Sequence, residues 1–191
     1  MDSLIRNINR LITLSAEEEK NVRTLFAKKR LVKKQFLLEA GEICRHENYV
    51  VKGSFRSFTL DSEGNEHTLH LAIEDFWITD LGSFMYESPS SIYIQALEAS
   101  EVLQIERRDM DKLLSENPIF EKFFRILHQR AYIAQTRRIL DSIALKGHER
   151  YLKLVETSPA LVERIPQKYL ASYLGMTPVF LSQIQSSKKL K

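Results

Sequence analysis

One cysteine, six glycines, five prolines and no long apolar run mark what this 191-residue chain has little of, and each scarcity closes a route. Cys44 alone cannot build a disulfide, a CxxC redox pair, a cysteine-ligated iron–sulfur cluster or a zinc finger within one chain. With no Gly/Ser- or Pro-rich stretch there is no flexible linker, and with no apolar window of about 18 residues there is no membrane-spanning helix. The N-terminal stretch MDSLIRNINRLITLS carries Asp2, Arg6, Asn7 and Arg10 where a signal sequence needs an apolar centre. A cytoplasmic protein without a membrane partner is the expectation. Nucleophile-elbow, P-loop, dinucleotide-fingerprint and HExxH zinc motifs are missing as well, so no enzyme is expected. His67 and His70 stand three apart and face opposite sides of a strand, so no metal site is expected either.

What is present is an uneven distribution of charge. The whole chain carries a net charge of +3. Residues 1–144 hold 20 basic against 22 acidic side chains, whereas residues 145–191 hold eight against three. A small basic end on a mildly acidic body points to nucleic acid or another anionic surface as its partner.

The hydrophobic period changes twice along the chain. Ser15 with Glu18 three residues later is a capping box opening a short helix over about 16–27. The run Lys28, Lys29, Arg30, Lys33 and Lys34 reads as a strand edge blunted by charge. From Gln35 to Ile105 short β-type runs alternate with turn signals at Gly41, Gly53, the segment Asp61 to Asn65, and Pro89, the spacing of an antiparallel roll. The period then becomes helical: a short helix from Arg107, a restart at Asn117-Pro118, and one long helix over about 119–145. Ile119, Ile126, Ile133 and Leu140 recur every seven residues beside a second stripe of Phe120, Phe124, Leu127, Ala131 and Ala134. Two stripes need two burial surfaces, the roll and a second copy of the helix in a homodimer.

The C-terminal stretch QKYLASYLGMTPVFLSQI has helix-turn-helix spacing. Ala171 is small where a second helix crosses, Gly175 suits a positive φ at the turn, and Leu170, Leu174, Leu181 and Ile184 pin the two helices together. Thr177 and Pro178 supply an N-cap and a first-turn proline. The second helix, about 178–187, would present Pro178, Val179, Ser182, Gln183, Gln185 and Ser186 to a DNA major groove. Gln167, Lys168 and Thr177 at helix starts, with Lys188, Lys189 and Lys191 beyond, are placed for phosphates. No charged side chain occurs between Tyr169 and Ser187, so attraction to the DNA backbone must come from the flanks. The alternative is a ligand-binding or protein-interaction module whose helix-turn-helix no longer reads DNA.

Together these features make an α+β chain: an N-terminal antiparallel β-roll of the jelly-roll type with flanking helices over 1–117, a long dimerisation helix over 118–145, and a helix-turn-helix domain over 146–191. LLEAGE, YVVKGSF, the Gly64 hairpin, IEDFW, SENP and ASYLGMTPVFLSQI occur in this order, and nearly the whole chain from Ser15 resembles the Crp/Fnr transcription regulators, with QKYLASYLG similar to Bacteroidetes members. The resemblance implies a cyclic-nucleotide-type sensor, a homodimer along the long helix, and binding to double-stranded DNA. It also implies contact with RNA polymerase and control by a small-molecule effector. In cyclic-AMP-binding relatives a Gly-Glu pair holds the ribose and an Arg-Ser pair the cyclic phosphate. Here the first place falls near Ile78, Thr79 and Asp80, with Leu81 beside them in the pocket, and the second on Ser90 and Ser91, with Gln135 and Thr136 on the long helix closing over them. Ser90 leaves the phosphate without a cation, so cyclic AMP is not expected and no cofactor is assigned.

Overall fold

The computed structural model describes residues 1–188. An unexpected helix α1, Asp2–Asn9, comes first and buries Leu4, Ile5 and Ile8 on one face. Helix α2, Ala16–Leu25, starts with the expected box: the Ser15 hydroxyl accepts from the Glu18 amide, and the Glu18 carboxylate accepts from the Ser15 amide.

Seven strands follow: β1 Ala27–Leu31, β2 Phe36–Leu38, β3 His46–Lys52, β4 Phe55–Leu60, β5 Glu66–Ala72, β6 Tyr93–Ala96 and β7 Ser100–Glu106. They form two antiparallel sheets, ordered β1-β7-β3 and β2-β6-β4-β5. The basic run is indeed an edge, since β1 pairs only with β7, and Lys28 and Arg30 reach Glu101 on that neighbour. The hairpin between β4 and β5 turns at Gly64, whose φ is 83°, and the Asp61 carboxylate accepts from the Glu63 and Asn65 amides. A short helix α3, Leu81–Tyr86, interrupts the path from β5 to β6.

Strand alternation decides which side chains face the core. Phe55, Ala72 and Ile94 turn inward and are buried with Tyr49, Val102 and Ile105. On β4 and β6 the neighbouring residues Arg56 and Gln95 face the other side, and Arg56 lies opposite both Leu71 and Gln95 in the ladder.

Helix α4, Arg107–Glu116, leads into α5, Ile119–Ala144. The first half of α5 packs on the roll through Phe120, Phe123 and Phe124, and Trp77 joins Phe26, Tyr49, Phe123 and Phe124 in one aromatic cluster with centroids 5.5–6.1 Å from the indole. Ile119, expected at a dimer seam, packs against this roll core instead. The second half of α5 is bare in the single chain, with Tyr132, Ile133, Ile139, Leu140 and Ile143 all exposed.

Four helices complete the described residues: α6 Gly147–Thr157, α7 Pro159–Arg164, α8 Gln167–Tyr173 and α9 Pro178–Lys188. Their core of Tyr151, Leu154, Leu161, Ile165, Leu170, Ala171 and Leu181 is continuous with Leu71, Ile73 and Leu97 of the roll. The C-terminal helices are therefore seated on the outer face of the β2-β6-β4-β5 sheet. No helix of the described residues is long and apolar enough to cross a membrane.

Candidate nucleic-acid interface and sensor pocket

Helices α8 and α9 form the turn that the spacing requires. Gly175 takes φ of 65°, the Met176 amide closes back on the Ala171 carbonyl, and Ala171 is fully buried at the crossing. The Thr177 hydroxyl accepts from the Phe180 amide at 3.2 Å, capping α9 just before Pro178.

Pro178, Val179, Ser182, Gln183 and Ser186 are exposed on α9, as the sequence implied. Gln185 is not free in the same way: it is half-buried and its amide donates to the Tyr151 hydroxyl at 3.3 Å. Its expected outward role is corrected by that contact, which spends the amide inside the domain. Phe180, 43% exposed beside Val179, adds an apolar surface that helical spacing alone did not single out. The Gln167 amide reaches the Pro178 carbonyl and ties the two helix starts together, while the exposed Lys168 holds its ammonium 4.5 Å from the Tyr169 ring. Lys188 ends α9, and Lys189 lies outside the described residues.

The sensor positions divide. Asp80 caps α3 by accepting from the Ser83 amide, and its second carboxylate oxygen accepts from the Ser90 hydroxyl at 2.8 Å. Ser90 is only 4% exposed, and its oxygen also accepts from the Ile92 amide. The two positions assigned by resemblance to ribose and phosphate are thus bonded to each other. Thr79 turns away, donating to the His46 carbonyl at 3.0 Å, and Leu81 and Ser91 are exposed. Gln135 is exposed on α5 and Thr136 donates to the Tyr132 carbonyl one turn back, so neither joins Asp80. His70 on β5 is held neutral, with burial first and the nearby Arg138 second pushing its imidazole down to about 4. Among the described residues no group of three or more His, Cys, Asp or Glu could hold a metal ion.

The contacts between roll and reader were not foreseen. Arg56, 3% exposed, makes a bidentate pair with Glu66 at 2.6 and 2.9 Å, bonds Gln95, and lies between the rings of Phe58 and Tyr169 at 3.9 and 4.2 Å. The Ser172 hydroxyl on α8 accepts from the Thr68 amide at 2.9 Å. Arg164 on α7 pairs with both Glu74 and Glu98. An arginine at the centre of FRSF, among apolar strand residues, was the one visible sign of such a contact.

Residues 28–117 match the cyclic nucleotide-binding domain family. Over 85 residues the chain is 32% identical to the cAMP-activated global transcriptional regulator CRP of Salmonella typhimurium, and equally to that of Klebsiella aerogenes. The match spans 44% of this chain and 40% of either regulator, well under half the length of these curated relatives. The fold extends further. The c-di-GMP responsive global regulator CLP of Xanthomonas campestris superposes with a TM-score of 0.72 over 92% of both chains at 13% identity. A CooA mutant of Carboxydothermus hydrogenoformans gives 0.69 over 97% of this chain and 84% of its own at 17% identity. Residues 28–117 therefore match a cyclic nucleotide-binding domain, and nearly the whole chain shares the fold of CLP and CooA.

Proposed function

We propose that this chain, a Crp/Fnr-type fold built on a cyclic nucleotide-binding-type domain, is a homodimeric DNA-binding transcription regulator whose roll does not bind cyclic AMP. The observation that carries the DNA reading is the exposed, capped α9 with Val179, Ser182 and Gln183 side by side on a correctly turned helix-turn-helix. Gln183 bonds adenine through both amide atoms, Ser182 suits either donor or acceptor base edges, and Val179 meets a thymine methyl group. Lys168 and the helix N-termini supply the backbone contacts that α9 lacks.

The bare half of α5 supports the dimer. Tyr132, Thr136, Ile139 and Ile143 recur at intervals of four, three and four, the spacing of a coiled-coil seam, and burying them against a second copy removes a large apolar stripe from water. A two-fold dimer places two α9 helices on half-sites one helical turn apart.

The Asp80–Ser90 bond supports the exclusion of cyclic AMP. A phosphate entering that loop loses its charge-assisted guanidinium bond and faces the Asp80 carboxylate, a penalty of a few kcal/mol, or roughly a hundredfold or more in affinity. RNA polymerase contact and effector control belong to this proposal as the partners of such a regulator.

Selection of binding sites from a random pool of duplex DNA, at low and moderate salt, tests it. Enrichment of a two-fold symmetric site is the expected result. Failure to enrich any sequence, with only salt-sensitive background binding, would overturn the DNA reading in favour of a ligand- or protein-binding module.

A further inference from the structure

Between the C-terminal half of α5 and the helices α6 and α8 lies a cavity of about 550 Å³. That volume falls within the range of about 300–1,000 Å³ usual for small-molecule sites. Its charged lining is Arg137, Arg138, Arg150 and Lys153 against the single carboxylate of Asp141.

These cations differ in what they are already doing. Arg150 is spent on the backbone, donating to the Leu145 carbonyl at 2.8 Å and the Leu174 carbonyl at 2.9 Å, which clamps the end of α5 to the end of α8. Lys153 pairs with Asp141 at 2.7 Å. Arg137 is exposed and has no ion-pair partner among the described residues. Arg138 is the unusual one. Its guanidinium donates to the Tyr173 carbonyl at 3.1 Å and lies 4.7 Å from the Tyr173 ring centre, yet its Nε is buried with no hydrogen-bond partner. A buried donor on a charged group is costly to leave unmade, and no carboxylate answers it among the described residues.

We infer that this cavity is an effector site for a small organic phosphate. Three guanidiniums and an ammonium facing one carboxylate exceed what a ligand carboxylate balances, whereas a phosphate dianion offsets most of the excess and accepts from an arginine fork through two oxygens. Ile139, Leu154 and Leu174 line the same cavity and give the organic body an apolar surface. The location gives the site a consequence. Arg138 stands on the dimerisation helix and Tyr173 at the end of the first reader helix, so a ligand held by Arg138 biases how the helix-turn-helix sits on α5. The effector would thus act at the domain junction and not inside the roll, an inference whose regulatory part rests on the function proposed above.

Phosphorus NMR line broadening and calorimetry on the full chain, without DNA, with inorganic phosphate, glucose 6-phosphate and AMP as probes, test the site. At least one organic phosphate is expected to bind more tightly than inorganic phosphate. Arg138→Gln and, separately, the exposed Arg137→Gln are each expected to weaken it by about tenfold, the value of one charge-assisted bond. Arg137→Gln lies on the surface and keeps the comparison valid if Arg138→Gln fails to fold. Binding of none of the three probes overturns the site. So does binding that both variants leave unchanged, and so does binding of inorganic phosphate alone, which marks an unselective anion patch. Organic-phosphate binding that the variants weaken upholds the site; if the same phosphate then leaves the affinity for the selected DNA unchanged in an anisotropy titration, its regulatory role is overturned.

Discussion

Replacing Arg56 by Met tests whether the reader is locked to the roll through this one side chain. Methionine fills the volume of the arginine stem, so the change removes the charge and the fork with little loss of packing. Arg56 is nearly inaccessible, but Glu66 is 45% exposed at its side chain, so their pair lies between two regimes. Exposed pairs contribute about 0–1 kcal/mol, and breaking a fully buried one costs about 3–5 kcal/mol. The Tyr169 ring, 4.2 Å from the guanidinium carbon, adds about 1–2 kcal/mol of cation–π attraction. The expected loss of unfolding free energy is about 2–4 kcal/mol, measured by urea denaturation followed by circular dichroism. A double-mutant cycle with Tyr169→Leu should return a coupling of about 1–2 kcal/mol, because the two residues belong to different domains and meet only through this stack. The pH dependence adds a sign. Arg56, by hydrogen bond and charge, holds the Glu66 carboxyl below the ordinary 4.5 in the folded state. That contribution is complete above the unfolded value and is lost as pH falls through the folded one. The gap between wild type and Arg56→Met should therefore narrow on acidification. A loss below about 1 kcal/mol, or no coupling to Tyr169, would refute the view that this arginine joins the domains.

Other expectations follow from single contacts. Gly53→Ala should destabilise the roll by about 2–5 kcal/mol in thermal unfolding, because φ is 94° there and the added Cβ would run into Ser100. Gln183→Ala should cost about 1–3 kcal/mol at the selected DNA site and relax one base position in anisotropy titrations, whereas Gln185→Ala should act mainly on stability through Tyr151. Ile139→Glu with Ile143→Glu should convert the dimer to monomer in light scattering while leaving the circular dichroism spectrum intact, since both side chains are more than half exposed in the single chain. Trp77→Ala should cost about 3–5 kcal/mol, because one indole joins four aromatic rings from α5, β3 and the α2–β1 junction.

Much of the architecture was legible because it rests on local rules. The Ser15 box, the Gly64 hairpin, the restart at Pro118 and the turn at Gly175 each follow from the conformational limits of one or two residues, and each stands where the pattern put it. Helix α1 is harder to read, because Asp2, Arg6 and Arg10 interrupt the helical period of Leu4, Ile5, Ile8 and Ile12. The heptad row on α5 is met by the roll at its start. Every seventh residue from Ile119 is apolar, but Ile119 packs against the roll, and the apolar side chains left exposed begin at Tyr132.

The sensor residues show a different limit. The resemblance places Asp80 and Ser90 at the ribose and phosphate positions, but no spacing shows that the two side chains satisfy each other at 2.8 Å. That bond has an energetic consequence for any ligand. On the proposed reading, an anion entering the loop would have to break the half-buried Asp80–Ser90 hydrogen bond before forming its own. The charge missing there reappears at the domain junction, where Arg137 and Arg138 face a cavity without an opposing carboxylate of their own. No periodicity brings these together, because α5 and α8 are 29 residues apart between Arg138 and Gln167 and meet only once the helix-turn-helix is seated on the sheet. Control in this chain is thus expected to depend on the contact between roll and reader, through Arg56–Tyr169 on one side and Arg138–Tyr173 on the other. If that is so, Tyr169→Leu and Tyr173→Leu should each change DNA affinity although neither residue lies on α9. Unchanged affinity in both would separate DNA reading from the seating of the domain.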